Sequence, residues 1–232
     1  SLAGGGFCLV RTSSGEEVLV DFFVDTPGRG ATGPRSPHFT EVEVVFPAAR
    51  QSFHCGPGSI AVPGCLPGYL HLHRRFGRLP LPEVVAPAVA LANEGVALAR
   101  EQAGIIALLE PIVTRTPAAR ALFAPDGSLL TEGEPFRNPD LARFLGRLAD
   151  GADDGFADGP THSALLDLTV GDGLLTAADL RAHRVVERRP LGVAWRGRRV
   201  LTNPAPAFGG RLLAAALADL EAVTVPADDP AW

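Results

Sequence analysis

Apolar residues near the two ends of the chain fall into patterns that predict β-hairpins. Near the start, two almost continuous apolar runs, Phe7–Val10 and Val18–Val24, flank the turn signal Ser13-Ser14-Gly15. Such runs predict a hairpin with both faces covered by other parts of the protein. Near the end, residues 192–202 predict a second hairpin, which turns at Arg196-Gly197.

Between the hairpins, the apolar positions are spaced as in helices. Asn138 is a good N-cap for one helix, and Thr176 and Asp179 resemble a capping box at the start of another. Pro87 predicts a kink or a late start in the helix that contains it. The helices predicted on these grounds cover Tyr69–Phe76, Leu81–Asn93, Arg100–Leu109, 138–150, 160–168, 176–183 and 210–222.

The order of elements predicts the α+β class or a layered α/β sandwich, because no repeat and no regular strand–helix alternation is present. A short strand over 41–46 lies between two stretches, 28–40 and 54–68, whose glycines and prolines predict loops. The 232 residues are 46% hydrophobic and 20% charged, as in a globular protein of one large or two small domains.

Charge and hydropathy disfavour two kinds of partner. The net charge of −5 is scattered along the chain, whereas a general nucleic-acid binder more often carries a basic face. No apolar run approaches the length needed to cross a bilayer, so we predict no membrane span. The chain has no methionine and begins at Ser1, which suggests a processed or truncated chain and leaves the cellular compartment open.

Histidines and cysteines form a possible metal-binding set, which consists of His54, Cys55, Cys65, His71 and His73. Their spacing does not match familiar zinc sites, and no Cys-x-x-Cys pair is present. On a helix, His71 and His73 would lie about 200° apart and could not bind one ion. We therefore predict neither a metal nor a cofactor.

Other residues that could carry chemistry also have a structural explanation. Gly4-Gly5-Gly6 precedes a strand, so it predicts close backbone packing rather than a phosphate loop. The acidic residues of 150–158 lack the order of an EF-hand and predict a solvated loop. The odd number of cysteines, Cys8, Cys55 and Cys65, favours buried free thiols over a disulfide between the last two. Motifs alone therefore give no complete active site.

Taken in order, several stretches resemble the large subunit of γ-glutamyltransferases (γ-glutamyl transpeptidases). The first resembles that family's glycine-rich strand and its Asp-Phe-Arg-Glu-x-Ala-Pro segment, and the last resembles its ERxPLxxxYRGxxVxxxPPPSSGG stretch. The matching segments are GGGFCLV and VLVDFFVDTP within 4–27, PGSIAVPGCLPGYLHLHRRFGRLPLPEVVAPAVALANEGVAL at 57–98, GDGLLTAADL at 171–180 and VVERRPLGVAWRGRRVLTNPAPAFGG at 185–210.

The resemblance implies a layered αββα sandwich of the N-terminal-nucleophile hydrolase type, incomplete in this chain. Residues 1–232 would be a single domain, a fragment of the large subunit. In that family a precursor cuts itself, and the new N-terminal threonine of the small subunit attacks the γ-glutamyl carbonyl with its own α-amine as base. The group then moves to water or to an amine.

The partners implied by the resemblance are that small subunit and a γ-glutamyl small molecule such as glutathione. No Thr-Thr-His-like segment is present in this chain, so we predict no catalytic residue here.

One departure from the family pattern concerns the substrate. The arginine of Asp-Phe-Arg grips the substrate α-carboxylate in the family, and Phe23 stands in its place here. Arg29 or Arg35, in the following loop, are candidates to substitute for it. The substrate-binding residues predicted on this basis are Phe23, Asp25 and Arg29.

A second departure makes another loop more apolar. The family's PPPSSGG becomes PAPAFGG at 204–210, which loses both serines and gains Phe208. The change at Phe23 leaves open a related acylase that acts on a different amide. The set of histidines and cysteines leaves open a degenerate homologue without catalysis or a zinc-stabilised interaction module.

Overall fold

The computed structural model describes residues 2–33, 36–153 and 155–221. Within these ranges the chain combines helices with small antiparallel sheets, which confirms the α+β prediction. No helix in the described part is both long and apolar enough to cross a membrane. The chain divides into two compact units, one with described residues 2–24, 63–72 and 184–221, the other with those between 25 and 62 and between 73 and 183.

A three-stranded antiparallel sheet lies in the first unit. Strand β2 (Glu17–Phe22) pairs with β1 (Gly6–Arg11) on one side and with β7 (Val186–Arg188) on the other. The predicted first hairpin is therefore confirmed. Five of the six β2 residues are buried, but β1 is only partly buried because it lies at an edge of this sheet. The expectation that both strands are covered is wrong for β1.

Helix α1 (Cys65–Phe76) begins four residues before the predicted start at Tyr69. Pro67 lies in its first turn, where the missing N–H of proline costs no helical hydrogen bond. The end of the predicted loop 54–68 is therefore helical. Gly68 brings the helix close to β2, because a Cβ at this position would lie 2.2 Å from Cγ of Phe22.

The second predicted hairpin is confirmed as β8 (Leu191–Trp195) and β9 (Arg198–Thr202). Both turn residues, Arg196 and Gly197, have positive φ angles, of 48° and 71°. Such a pair is typical of the two-residue turns whose twist matches that of the flanking strands. Helix α9 (Phe208–Glu221) then packs against both strands.

In the second unit, β3 (Thr40–Val45) confirms the strand predicted over 41–46. It pairs along its full length with β4 (Arg50–Cys55), which the sequence does not predict. Its sequence, RQSFHC, contains one large apolar residue, and none of the six residues is buried. Backbone hydrogen bonds to β3 form this strand without an apolar signal.

The helices of the second unit follow the sequence prediction closely where apolar spacing is strong. Asn138 caps its helix by accepting a hydrogen bond from the Leu141 N–H (2.9 Å). Helix α2 begins at Leu81, so the late start predicted from Pro87 is wrong. The bounds are α2 (Leu81–Glu94), α3 (Arg100–Leu108), α4 (Glu110–Val113), α5 (Pro117–Phe123), α6 (Pro139–Ala149), α7 (Gly159–Asp167) and α8 (Ala177–Ala182).

A local core in the second unit consists of Leu98, Ile106 and Leu130, with Phe123 and Phe136 packed against it. It lies next to a two-stranded pairing of β5 (Val96–Ala97) with β6 (Pro135–Phe136). Helices α2 and α6 pack against each other, and the apolar stripe of α6 is buried at Leu145 and Leu148 and partly buried at Leu141 and Phe144.

Candidate functional site

Phe23 follows the last residue of β2, and its backbone is held by a buried carboxylate. The Phe23 N–H donates to Oδ1 of Asp21 (3.1 Å), and Nε of Arg188 in β7 donates to Oδ2 (2.7 Å). Asp21 is 7% exposed, whereas the Phe23 side chain is directed outward and 53% exposed. The ion pair therefore holds the end of β2 while the ring remains accessible.

Three phenyl rings line a cavity of about 740 Å³ in the first unit. The rings of Phe7 and Phe23 stack with their centroids 5.4 Å apart and their planes 14° apart. Phe208, the first residue of α9, is 78% exposed and lines the same cavity. The structure thus brings together Phe23 and Phe208, two of the positions at which the sequence departs from the pattern of the family that it resembles. The remaining described residues of the lining are Thr202, Asn203, Pro206, Ala207, Gly209, Gly210 and Leu213.

Gly210 fixes the start of α9 beside the loop that precedes it. A Cβ at this position would lie 2.1 Å from the backbone oxygen of Asn203, so no side chain fits there. The close approach sets the position of the cavity wall that carries Phe208.

Gly5 plays a similar part at the start of the chain, where a Cβ would lie 2.5 Å from the backbone nitrogen of Val24. The Gly4 carbonyl accepts hydrogen bonds from the N–H groups of Gly64 and Cys65, both 2.8 Å. These contacts confirm that Gly4-Gly5-Gly6 serves backbone packing.

Asp25 and Arg29, the other two predicted substrate-binding residues, belong to the second unit, and both side chains are exposed. Asp25 exchanges backbone hydrogen bonds with Val62 (3.3 and 3.0 Å). Arg29 is fixed through its backbone, since its N–H donates to Asp179 and its carbonyl accepts from Oγ1 of Thr176, both 2.8 Å. The grouping of Phe23, Asp25 and Arg29 as one substrate-binding set stays a prediction. Arg35 lies outside the described residues.

Asp179 anchors the glycine-rich loop that contains Arg29. Its carboxylate accepts hydrogen bonds from the N–H groups of Gly28 and Arg29 (both 2.8 Å) and also completes the capping box with Thr176. Burial alone would raise the pKa of Asp179, but these hydrogen bonds favour the charged form more strongly and hold the pKa below its ordinary value.

The capping box that the sequence predicts is therefore confirmed. Its partnership with Gly28 and Arg29, about 150 positions away, has no local sequence signal.

Two of the three histidines in the possible metal-binding set, His71 and His73, are held by other partners. Nε2 of His71 pairs with Oε1 of Glu187 (2.8 Å), and Nε2 of His73 pairs with the carbonyl of Leu79 (2.9 Å). In the part of the chain that the structure describes, no group of three or more acidic, histidine or cysteine side chains is arranged to hold a metal ion.

Cysteine side chains are free thiols in this structure, but only one of them is buried. Cys65 is buried, whereas Cys8 and Cys55 are partly accessible, so the expectation of burial is wrong for these two. No disulfide joins Cys55 and Cys65, which agrees with the prediction of free thiols.

The acidic segment 150–158 is predicted to be a solvated loop, and the structure confirms this only in part. Asp153 is buried and accepts hydrogen bonds from the Gly155 N–H (3.0 Å) and from Oγ1 of Thr161 (2.6 Å). This carboxylate therefore holds the chain between α6 and α7, while Asp154 lies outside the described residues.

The chain matches the model of one protein family, described as gamma-glutamyltranspeptidase, over residues 1–231. It is 28% identical over 227 residues to an acylase ACY 1 proenzyme of Pseudomonas sp. (strain V22), which covers 97% of this chain and 41% of that protein. It is 34% identical over 164 residues to a glutathione hydrolase proenzyme of Pseudomonas aeruginosa, which covers 68% of this chain and 28% of that protein. The chain thus spans about two fifths or less of the length of these relatives.

The fold is similar to that of a solved structure, the γ-glutamyltranspeptidase of Helicobacter pylori. The TM-score is 0.82 at 24% identity, and the match covers 97% of this chain and 64% of that one. This likeness confirms the N-terminal-nucleophile hydrolase type of fold that the resemblance implies.

Proposed function

Because the chain belongs to the gamma-glutamyltranspeptidase family, we propose that it is the large-subunit part of an amide hydrolase or transpeptidase. The proposal is carried by the family match over residues 1–231 and is supported by two relatives whose names, acylase and glutathione hydrolase, both denote cleavage of amide-type bonds. Both relatives are called proenzymes and are longer than this chain. We expect the rest of the whole protein to supply a small subunit that begins with threonine.

The proposed reaction proceeds by acyl transfer through that threonine. Its hydroxyl oxygen attacks the substrate carbonyl while its own α-amine accepts the hydroxyl proton, and the carbon–nitrogen bond breaks as this proton passes to the leaving amine. Water or an acceptor amine then attacks the threonine ester and returns a proton to the threonine oxygen. This chain supplies no catalytic residue in this scheme, and its part is to bind and orient the acyl group.

The first candidate donor is a γ-glutamyl compound such as glutathione, which the name of the glutathione hydrolase relative supports. In this case Arg29 would bind the α-carboxylate and replace the arginine that Phe23 has displaced. The second candidate is an amide with a different acyl group, as for an acylase, and the cavity lined by Phe7, Phe23 and Phe208 favours it.

The proposal is tested with the whole protein purified from the complete reading frame. Release of nitroaniline from γ-glutamyl or acyl p-nitroanilides would support amide cleavage, and its stimulation by glycylglycine would indicate transfer as well as hydrolysis. A variant in which the N-terminal threonine of the small chain is replaced by alanine is the control and should be inactive. If no γ-glutamyl or acyl anilide is cleaved, the protein is a degenerate homologue and the proposal is wrong.

A further inference from the structure

The cavity of the first unit combines a large apolar wall with a lining that carries no charge. Among the described residues that line it, none is acidic or basic, and the polar ones are Thr202 and Asn203. Its volume of about 740 Å³ lies in the range of small-molecule sites. Exposed apolar side chains that cluster around a concave surface often mark a binding site.

The walls of this cavity are held in place by contacts that its lining residues make. Asp21 fixes the backbone of Phe23, and Phe7 stacks against the ring. On the wall formed by α9, the approach of Gly210 to Asn203 fixes the start of the helix and with it the backbone of Phe208. A preformed apolar site loses little conformational freedom when a ligand binds.

The absence of charge in the lining decides between ligand classes. A γ-glutamyl group carries an α-ammonium and an α-carboxylate, and both would lose hydration here without an opposite charge to replace it. An aryl or aliphatic acyl group carries no charge that would lose hydration. Its binding free energy becomes more favourable as its apolar surface is buried against the phenyl rings and Leu213.

We infer that this cavity binds the acyl group of the substrate, and that this group is uncharged and apolar, such as phenylacetyl or hexanoyl. The inference rests on the proposed function, because it assumes that the protein cleaves an amide through an acyl-enzyme. It makes Phe23 and Phe208 the residues that determine specificity.

The test uses the whole self-processed protein and a series of p-nitroanilides: acetyl, butanoyl, hexanoyl, phenylacetyl and γ-glutamyl. We expect kcat/KM to rise about fourfold for each methylene added to the aliphatic chain. We also expect the hexanoyl and phenylacetyl substrates to exceed the γ-glutamyl substrate at least tenfold. Preference for the γ-glutamyl anilide would overturn the inference and leave the proposed function standing.

Two variants probe the cavity directly. Phe208→Ser should lower kcat/KM for the hexanoyl anilide about tenfold or more and should affect the acetyl anilide far less, because an acetyl group offers the ring little apolar surface to contact. Phe23→Arg should reverse the preference toward the γ-glutamyl anilide. Leu212→Ser is the matched control, because Leu212 is similarly exposed on α9 but is not among the described lining residues.

Other outcomes are also decisive. If Phe208→Ser lowers the melting temperature but leaves the order of substrates unchanged, another part of the protein fills the cavity and the inference is wrong. If the protein cleaves no anilide, the proposed function fails, and ligand-observed NMR with hexanamide and L-glutamine tests the cavity alone. Binding of hexanamide that Phe208→Ser weakens would then support the inference, whereas no binding of hexanamide would overturn it.

Discussion

At the scale of single residues, two buried carboxylates each hold a segment of the backbone by accepting its N–H groups. Within the first unit, the Asp21 carboxylate accepts hydrogen bonds from the N–H of Phe23 and from the guanidinium of Arg188. Within the second unit, the Asp179 carboxylate accepts hydrogen bonds from the N–H groups of Gly28 and Arg29. A buried carboxylate that accepts several hydrogen bonds is well compensated, but it becomes costly when a donor is removed.

Replacement of Arg188 by alanine should destabilise the protein strongly. The change removes the ion-pair partner of the buried Asp21, and because Arg188 is itself about one third exposed, the cost is about 1.5–3 kcal/mol in the free energy of unfolding. Denaturant unfolding of the whole protein measures this cost. Arg199→Ala is the control, because Arg199 pairs with Glu17 while remaining more than half exposed, so its loss should cost less than about 1 kcal/mol. Equal effects of the two changes would contradict our assignment of Asp21.

Replacement of Asp179 by asparagine should lower the free energy of unfolding at pH 7 by about 2–3 kcal/mol. The amide can no longer accept from all of its donors, and its NH₂ group faces an N–H. Asp158→Asn is the control, since Asp158 is exposed and pairs only with exposed Arg181 in the described part of the chain. Its loss should change stability by less than about 1 kcal/mol.

The effect of Asp179 should also depend on pH in a defined direction. Its pKa in the folded protein is lowered, so its stabilising contribution is present above the unfolded pKa, about 3.9, and is lost as the pH falls through the folded value. The difference in stability between the natural protein and Asp179→Asn should therefore shrink below about pH 4. A difference that grows on acidification would show that the carboxylate is not the stabilising group.

At the scale of elements, glycines in two helices illustrate how packing outweighs helix propensity. Gly68 of α1 lies against Phe22, whereas a Cβ at Gly146 of α6 would meet nothing within 4 Å. Both positions are inside helices, where alanine is intrinsically the better residue by about 1 kcal/mol. The same substitution should therefore have opposite effects at these two positions.

Gly68→Ala should destabilise the protein by about 1–3 kcal/mol or more, because the new methyl group overlaps a buried ring that cannot move away. Gly146→Ala should stabilise it by about 0.5–1 kcal/mol. The two melting temperatures, measured in the whole protein, give the comparison. A stabilising effect at Gly68 would mean that α1 does not pack on β2 as the structure has it.

Elements with a strong local signal could be predicted from the sequence. The apolar runs around Ser13-Ser14-Gly15 and the turn at Arg196-Gly197 define both hairpins, and Asn138 marks the start of α6. Strand β4 could not be predicted, because its polar sequence forms a strand only through its pairing with β3. The start of α1 was missed because Pro67 and Gly68 resemble loop residues until the helix contacts are known.

At the scale of the whole molecule, many large apolar side chains are exposed. In the first unit they lie on β1, on β7 and on α9, and include Leu9, Val186, Phe208, Leu212 and Leu220. Exposed apolar surface and open sheet edges favour association with other chains.

We therefore predict that the 232-residue chain expressed alone associates or aggregates and binds a hydrophobic dye such as ANS. Light scattering and size-exclusion chromatography test this directly, with the whole protein as the control. A monomeric chain with a cooperative melt and no dye binding would contradict the prediction.

The candidate site also belongs to this scale, and only part of it could be predicted from the sequence. The departures at Phe23 and Phe208 from the family pattern are visible in the sequence, but their meeting at one cavity with Phe7 is a property of the fold. The ion pair of Asp21 and Arg188 is also a property of the fold, because the two residues are 167 positions apart and meet only through the pairing of β2 with β7. Residues that meet through such long-range contacts leave no local periodicity that a sequence pattern can detect.

We propose that this chain is part of an enzyme that matures by cutting itself. The most direct test is intact mass measurement with N-terminal sequencing on the whole protein purified from the complete reading frame. We predict two chains that purify together, the smaller of which begins with threonine. A single uncut chain that stays uncut during prolonged incubation would contradict the claim, and the chemistry of the family should then not be assigned to this protein.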